Sequence, residues 1–211
     1  MKLAIIGATG FVGSHIYQEA LERGHEIVAI SRKTKMKPEK NVVSYQQTIF
    51  EPEKLTELIK DVDVIISAYN PGWYHVDPHN RYLQGYDILI EVSKKLNKRL
   101  LIVGGATSLD LEDGTKVVEG FFPGPWKEAL SGTFALYEKI KDDKSFDWTY
   151  VSPAAELINT SKTKKYVLGQ NTLVTDDGDV SRVSVQDLAD AILNEVENPK
   201  YKQKRFTLGY K

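Results

Sequence analysis

At 211 residues the chain has the length of one domain, enough to bury roughly 70 % of its unfolded surface in a free-standing core. Twenty-eight basic against twenty-nine acidic residues leave a net charge of −1, with no global field to recruit nucleic acid or an anionic membrane. Cysteine is absent, which excludes a disulfide framework, a thiol nucleophile and thiolate metal ligation, and no apolar run reaches signal-peptide or membrane-span length. The reading is a cytoplasmic monomer or homodimer that acts on a small-molecule acceptor.

The first stretch organises the rest. Lys2-Leu3-Ala4-Ile5-Ile6 has the pattern of a buried strand, and Gly7-Ala8-Thr9-Gly10-Phe11-Val12-Gly13 leads from it into a helical pattern from Ser14. Gly7 lets the chain turn sharply, Gly10 lets backbone N–H groups approach a diphosphate with no Cβ in the way, and Gly13 lets the helix pack close on the sheet. Unpaired N–H groups and the helix dipole favour negative charge there, so Gly7, Thr9, Gly10, Phe11, Val12 and Gly13 are candidate dinucleotide contacts. The spacing differs from the ordinary GxGxxG and resembles the GATGxxG turn of extended and atypical short-chain dehydrogenase/reductases.

Ile16, Ala20 and Leu21 give the helix an apolar stripe, and Arg23-Gly24 stops it. Glu26–Ile30 is a second strand, apolar enough to be buried on both faces. An NAD-specific site has a carboxylate near this strand end for the ribose hydroxyls, whereas a 2′-phosphate needs cations and hydroxyls. Here Ser31-Arg32-Lys33 stands in its place, which favours NADP(H) over NAD(H). The alternative is a solvated basic turn, since Lys35, Lys37 and Lys40 continue the run.

A third strand covers Val42–Tyr45 and runs on to Phe50, with Thr48 and Ile49 as adenine-side candidates. A helix from Pro52 to Lys60 and a β-branched fourth strand, Asp61–Ala68, follow. Ala68, Tyr69 and Asn70 sit at the carboxyl end of that strand, where open α/β sheets bind ligands, and should border the nicotinamide ribose. His75 and His79 flank Pro78, which a helix tolerates only in its first turn, so the two imidazoles do not share a helix face and no metal site is read there. A helix from about His79 to Asn97 turns Leu83, Ile88, Leu89 and Val92 inward. The fifth strand, Arg99–Val103, ends in Gly104-Gly105-Ala106-Thr107-Ser108, whose glycines would allow backbone to approach a ligand. Leu109 to Trp126, with Gly114, Gly120, Pro123, Gly124 and Pro125, reads as a long loop acting as a lid or substrate wall.

Tyr137-Glu138-Lys139-Ile140-Lys141 matches the catalytic YxxxK of short-chain reductases, but only about ten residues separate Tyr137 from the sixth strand, Asp147–Val151. At ~1.5 Å per helical residue this carries the phenol away from the nicotinamide, leaving an i,i+4 surface pair as the favoured reading. Lys165–Leu168 and Thr172–Val174 read as short strands. Asp176, Asp177 and Asp179 lack the terminal glutamate of a calcium loop. Ser184–Asp187 leads into a last amphipathic helix through Leu193. The fold class is α/β: one Rossmann-type doubly wound parallel sheet over residues 1–211, with residues 154–183 forming a small substrate-side C-terminal lobe.

Three stretches, Gly104–Leu109, Asp147–Ala155 and Phe206–Tyr210, together resemble the NADH-flavin reductase family of atypical short-chain reductases, beside the NmrA-like and biliverdin reductase B-like proteins. The resemblance spans essentially the whole chain. It implies a nicotinamide cofactor and Ser152-Pro153-Ala154 lining the nicotinamide, with Gly104 among the cofactor contacts; Thr107 and Ser108 offer hydroxyls where short-chain reductases place a substrate-orienting serine, Ser108 being the catalytic candidate and a plain polar turn the rival reading. Flavin would be a substrate and not a tightly bound group. Thr48 stands where relatives commonly carry aspartate, and Leu157–Lys164 replaces a PGERTG-like segment, so the departures fall mainly on the substrate side. The activity implied is hydride transfer to a flavin or quinone-like acceptor. The alternatives are a non-enzymatic NADP(H) sensor of NmrA type and a sugar-nucleotide epimerase.

Overall fold

The computed structural model describes residues 1–33, 37, 39–72, 75–120 and 126–211. Its first half is built from β1 (Lys2–Ile6), α1 (Phe11–Glu22), β2 (Glu26–Ser31), β3 (Val42–Gln46), α2 (Pro52–Ile59), β4 (Val64–Ser67), α3 (Pro78–Leu96) and β5 (Arg99–Val103). The second half adds a short 3-10 turn (Ala106–Ser108), α4 (Val117–Gly120), α5 (Trp126–Ile140), β6 (Trp148–Ser152), β7 (Glu156–Ile158), β8 (Val167–Gly169), β9 (Arg182–Ser184), α6 (Val185–Glu197) and β10 (Lys204–Gly209). Eight strands form one sheet in the order β3-β2-β1-β4-β5-β6-β10-β8, parallel except for β8, which runs antiparallel to β10. This is the Rossmann-type doubly wound sheet expected from the sequence, and its order reverses between β1 and β4.

Side-chain alternation along the strands feeds two cores. Leu3 and Ile5 of β1 join Ile16 of α1 and Leu188 and Ile192 of α6 on one face. Ala4 and Ile6 join Leu55 of α2, Leu89 of α3 and Leu136 of α5 on the other. Burial on both faces explains why the central strands read as continuous apolar runs. Arg99 in β5 ties the sheet to α6: its guanidinium bonds the Glu195 carboxylate and lies 2.5 Å from Thr149 Oγ1. α3 ends on Asn97 in the left-handed region at φ 51°, a conformation asparagine tolerates better than most residues.

The structure corrects several sequence boundaries. Gln47–Phe50 leaves the sheet, because Gln47 donates its last ladder bond to Ser31 O and Thr48 Oγ1 then accepts from the Phe50 amide to close a turn. α3 turns Leu89 and Val92 fully inward and packs the half-buried Leu83 and Ile88 against the same core, and it also buries Tyr82, Gly85 and Tyr86. Of the two short strands expected near residue 170, only β8 forms, and Thr172 makes an isolated bridge to Asp110. β7 and β9 pair in parallel as a separate two-stranded sheet.

The described part of the stretch expected to cover the ligand edge, residues 109–120, behaves differently as well. Leu109 and Val117 are buried with Ala106 and Leu173 in a third apolar cluster, anchoring residues 109–120 away from the cleft. Pro123, Gly124 and Pro125 lie outside the described residues, as does Lys35 of the basic run.

Candidate functional site

A cleft of about 630 Å³ opens at the carboxyl ends of the strands, over the reversal between β1 and β4. Its floor is the glycine turn. The amides of Gly7 and Ala8 both donate to Ile30 O, pinning the turn to the end of β2. Gly7 sits at φ +83° and a Cβ there would fall 2.8 Å from Ala68 O. Gly13 does not line the cleft, and a Cβ on it would lie 2.1 Å from Gly7 O, so its role is the close helix-to-turn contact. Gly10 differs from both: its φ of −78° suits any residue, and an added Cβ would meet only Gly7 O, at 3.3 Å. Gly10 lines the cleft, and the single neighbour an added Cβ would meet makes this position less constrained by packing than Gly7 or Gly13.

Gly10 is also the N-cap of α1, with no side-chain cap and no acidic residue in the first turn. The first-turn amides of an α-helix have no internal acceptors, so this end of α1 presents uncompensated N–H groups and positive dipole beside Thr9, Gly10, Phe11 and Val12, all cleft-lining. Ser31, Arg32 and Lys33 continue the wall. Ser31 is buried, whereas Arg32 and Lys33 are exposed. Among the described residues these two cations are the only charged side chains on the cleft. The residues fit a diphosphate dinucleotide: the cradle supplies amides, and its rim supplies positive charge.

Ile49, Ala68, Tyr69 and Asn70 line the next section, but Thr48 does not. Its neighbour Gln47 lines the cleft in its place, with the side-chain amide donating to Thr48 O at 2.9 Å and Glu51 Oε2 at 3.2 Å. Tyr69 is held from three sides: its hydroxyl donates to Arg81 O at 3.0 Å, and its ring packs against those of Phe50, Tyr82 and Tyr86. Burial raises its pKa, against an opposing effect of Arg81 and Arg32.

At the far end Gly104, Pro153 and Ala154 meet Val103, Gly105, Thr107, Leu130, Thr133, Ala155, Leu157 and Tyr82. Gly104 has a packing reason to be glycine, since a Cβ would fall 2.2 Å from the Tyr150 ring. Ser108 and Ser152 do not reach the cleft. Ser108 Oγ donates to Gly105 O at 2.7 Å, the two serine hydroxyls lie 2.7 Å apart, and both residues are buried. Ser108 is thus placed as a structural hydroxyl, fastening the 3-10 turn to β6.

Tyr137 is also remote. Its ring lies 4.0 Å from the Arg205 guanidinium and 5.4 Å from the Tyr150 ring, and Lys141 bonds Glu138. Tyr137 lies off the cleft, and at the surface its charge interaction with Lys141 is secondary to that of Glu138. Tyr82 carries the phenol that does line the cleft, yet burial, reinforced by Tyr86 and Tyr150, holds its pKa well above the usual tyrosine value. Sequence reading missed Tyr82, Leu130, Thr133 and Leu157. Tyr82 could have been found from the 82-85-86-89 stripe of α3 had Gly85 been counted as a core position.

Residues 7–199 match the NAD(P)H-binding family model. The chain is 33 % identical to YwnB of Bacillus subtilis (strain 168), an uncharacterized protein, across 99 % of this chain and 98 % of YwnB. A crystal structure of a "putative epimerase" from Bacteroides thetaiotaomicron superposes with a TM-score of 0.90 at 33 % identity, covering 99 % of this chain and 96 % of that one. That of a "putative NADH-flavin reductase" from Streptococcus pneumoniae superposes with a TM-score of 0.86 at 29 % identity, covering 100 % of both chains. With the fold, the cradle and nearly the full length in agreement, the chain belongs to the NAD(P)H-binding family, within the atypical short-chain reductases.

Proposed function

We propose that the protein is an NADPH-preferring reductase that delivers hydride to a flavin or quinone-like acceptor. The observation that carries the reading is the charge at the end of β2, where a serine and two cations border the cleft and, among the described residues, no carboxylate does. In this reading the α1 amides hold the diphosphate, Ser31, Arg32 and Lys33 receive the 2′-phosphate, and Gly104, Pro153 and Ala154 bed the nicotinamide. The bound reduced nicotinamide would supply a hydride to an electron-poor ring stacked on it, with solvent supplying any proton. The chain's contribution is to orient the two rings and exclude water between them.

The hydroxyls support this acceptor class over a carbonyl compound that needs a protein acid. Ser108 lies behind the wall, and burial raises the pKa of Tyr82, which makes its phenol a weak acid. Thr107 and Thr133 bond each other and the Leu130 carbonyl. The Streptococcus relative, described as a "putative NADH-flavin reductase", supports the same class.

Fluorescence titration with NADPH and NADH at fixed salt tests the reading. NADPH should bind more tightly, and Arg32→Ala should weaken it roughly 10- to 100-fold, as expected for one charge-assisted phosphate contact. NADPH oxidation with FMN or a quinone should then proceed over many turnovers at a rate proportional to protein concentration. Equal affinities, or an Arg32→Ala variant with unchanged NADPH binding, would remove the 2′-phosphate assignment. Saturable binding without turnover would move the protein to the sensor class.

A further inference from the structure

We infer that Gln47 makes the cleft select adenine, presenting its side-chain oxygen Oε1 as the acceptor for the 6-amino group of the base. The inference rests on the nucleotide reading above, with the diphosphate on the glycine turn and the 2′-phosphate at the end of β2. The sheet order then says where the base lies. β1, β2 and β3 are consecutive neighbours, so a nucleotide running from the turn after β1 across the end of β2 next meets the end of β3. There the Gln47 backbone amide donates to Ser31 O at 2.8 Å, and Gln47 and Ile49, both buried, line the cleft.

The Gln47 side chain can serve a ligand in one sense only. Nε2 carries two hydrogens, and they go to Thr48 O at 2.9 Å and to Glu51 Oε2 at 3.2 Å. With both donors committed, the capacity left to the amide is that of Oε1, an acceptor. Reversing the amide would set Oε1 against two acceptor oxygens, one of them a carboxylate, and lose both bonds. The chain thus fixes the polarity of this amide before a ligand arrives. Adenine carries a donor at its 6-position, whereas hypoxanthine carries an oxygen there. The amino group forms an N–H···O bond with Oε1, while the 6-oxo group brings two oxygens together with no proton between them. Thr48 is not placed for this task, since it lies off the cleft and its Oγ1 accepts from the Phe50 amide at 3.2 Å.

NADPH and reduced nicotinamide hypoxanthine dinucleotide phosphate share the nicotinamide, both riboses, the diphosphate and the 2′-phosphate, so the ratio of their affinities reports the base alone. In fluorescence titrations of the wild-type protein at fixed salt, NADPH should bind at least about tenfold more tightly. In Gln47→Leu, NADPH affinity should fall and the ratio should drop to within about twofold of one. Equal affinities for the two dinucleotides in the wild type would overturn the inference without recourse to a variant. Equal weakening of both by Gln47→Leu, with the ratio unchanged, would also overturn it, because Oε1 would then serve a ribose hydroxyl. A base ratio that holds while NADPH and NADH bind equally would support the inference and count against the 2′-phosphate assignment alone.

Discussion

Gly85 lies inside the 19-residue helix α3, where glycine costs about 1 kcal/mol relative to alanine, so helix propensity alone predicts that Gly85→Ala stabilises the protein. The packing predicts the reverse. A Cβ at Gly85 would fall 2.3 Å from Tyr69 Cε1, 2.7 Å from Cζ and 2.9 Å from Ile49 Cδ1. Tyr69 has no easy retreat, since its hydroxyl is bonded to Arg81 O and rings enclose it on the other sides. Overpacking of this kind costs roughly 1–3 kcal/mol, and release of the tyrosine hydrogen bond about 1 more. Against the propensity gain, the net is a destabilisation of roughly 1–3 kcal/mol, readable as a lower urea midpoint at unchanged m. Because Tyr69 and Ile49 both line the cleft, nucleotide affinity should fall in the same variant. A Gly85→Ala protein as stable as wild type, or more so, would refute the claim that this glycine is a seat for Tyr69.

Two more glycines separate fold from ligand. Gly13→Ala sets a Cβ against backbone atoms that cannot rotate away and should lower stability by about 3 kcal/mol or more in urea unfolding. Gly10→Ala should lower it by no more than about 1 kcal/mol, the price of a poorer N-cap, yet reduce NADPH affinity at least tenfold by titration. Equal effects on affinity per unit of lost stability would contradict the division. Asp187 controls acid stability. Burial would raise its pKa, but hydrogen bonds from Tyr210, Lys164 and Thr163 outweigh this and hold the carboxyl below its usual value. A depressed folded pKa stabilises above the unfolded value of about 4, and the benefit is lost as pH falls through the folded value. The stability difference between wild type and Asp187→Asn should therefore be full near pH 6 and shrink below about pH 4. A pH-independent difference would show that the carboxylate's charge is not what holds residues 163 and 164.

What the sequence revealed was whatever depends on periodicity and on backbone. The strand-glycine-helix start, the central strands and the helix phases with strong apolar stripes could be read because burial on both sheet faces leaves an unbroken apolar run. β10 offered no such mark: Lys204 and Arg205 open it, and Arg205 is buried by bonding the Ser108 and Asn171 carbonyls beneath the 3-10 turn, a partnership formed 97 and 34 residues away. Local pattern cannot announce a cation whose partners are supplied by distant loops.

Glycines and serines show most sharply where such reading stops. Gly7, Gly10, Gly13, Gly85 and Gly104 are one letter in the sequence, yet in the fold one needs a positive φ, one lines the cleft, one lets a helix touch a turn, and two leave room for tyrosine rings. Each reason is set by the atom that a Cβ would meet, and that atom usually comes from another element. Ser108 and Ser152 sit on the segments expected to carry a hydroxyl to the ligand, and both segments do reach the cleft through Thr107 and Pro153. The hydroxyls are spent because the 3-10 turn offers Ser108 a carbonyl three residues back, at 2.7 Å, and Ser152 a partner at the same distance. Short polar side chains compete for nearby backbone before they can serve a ligand. Placing a serine on the right loop therefore settles its neighbourhood, while the geometry of that loop decides whether its oxygen is available to react.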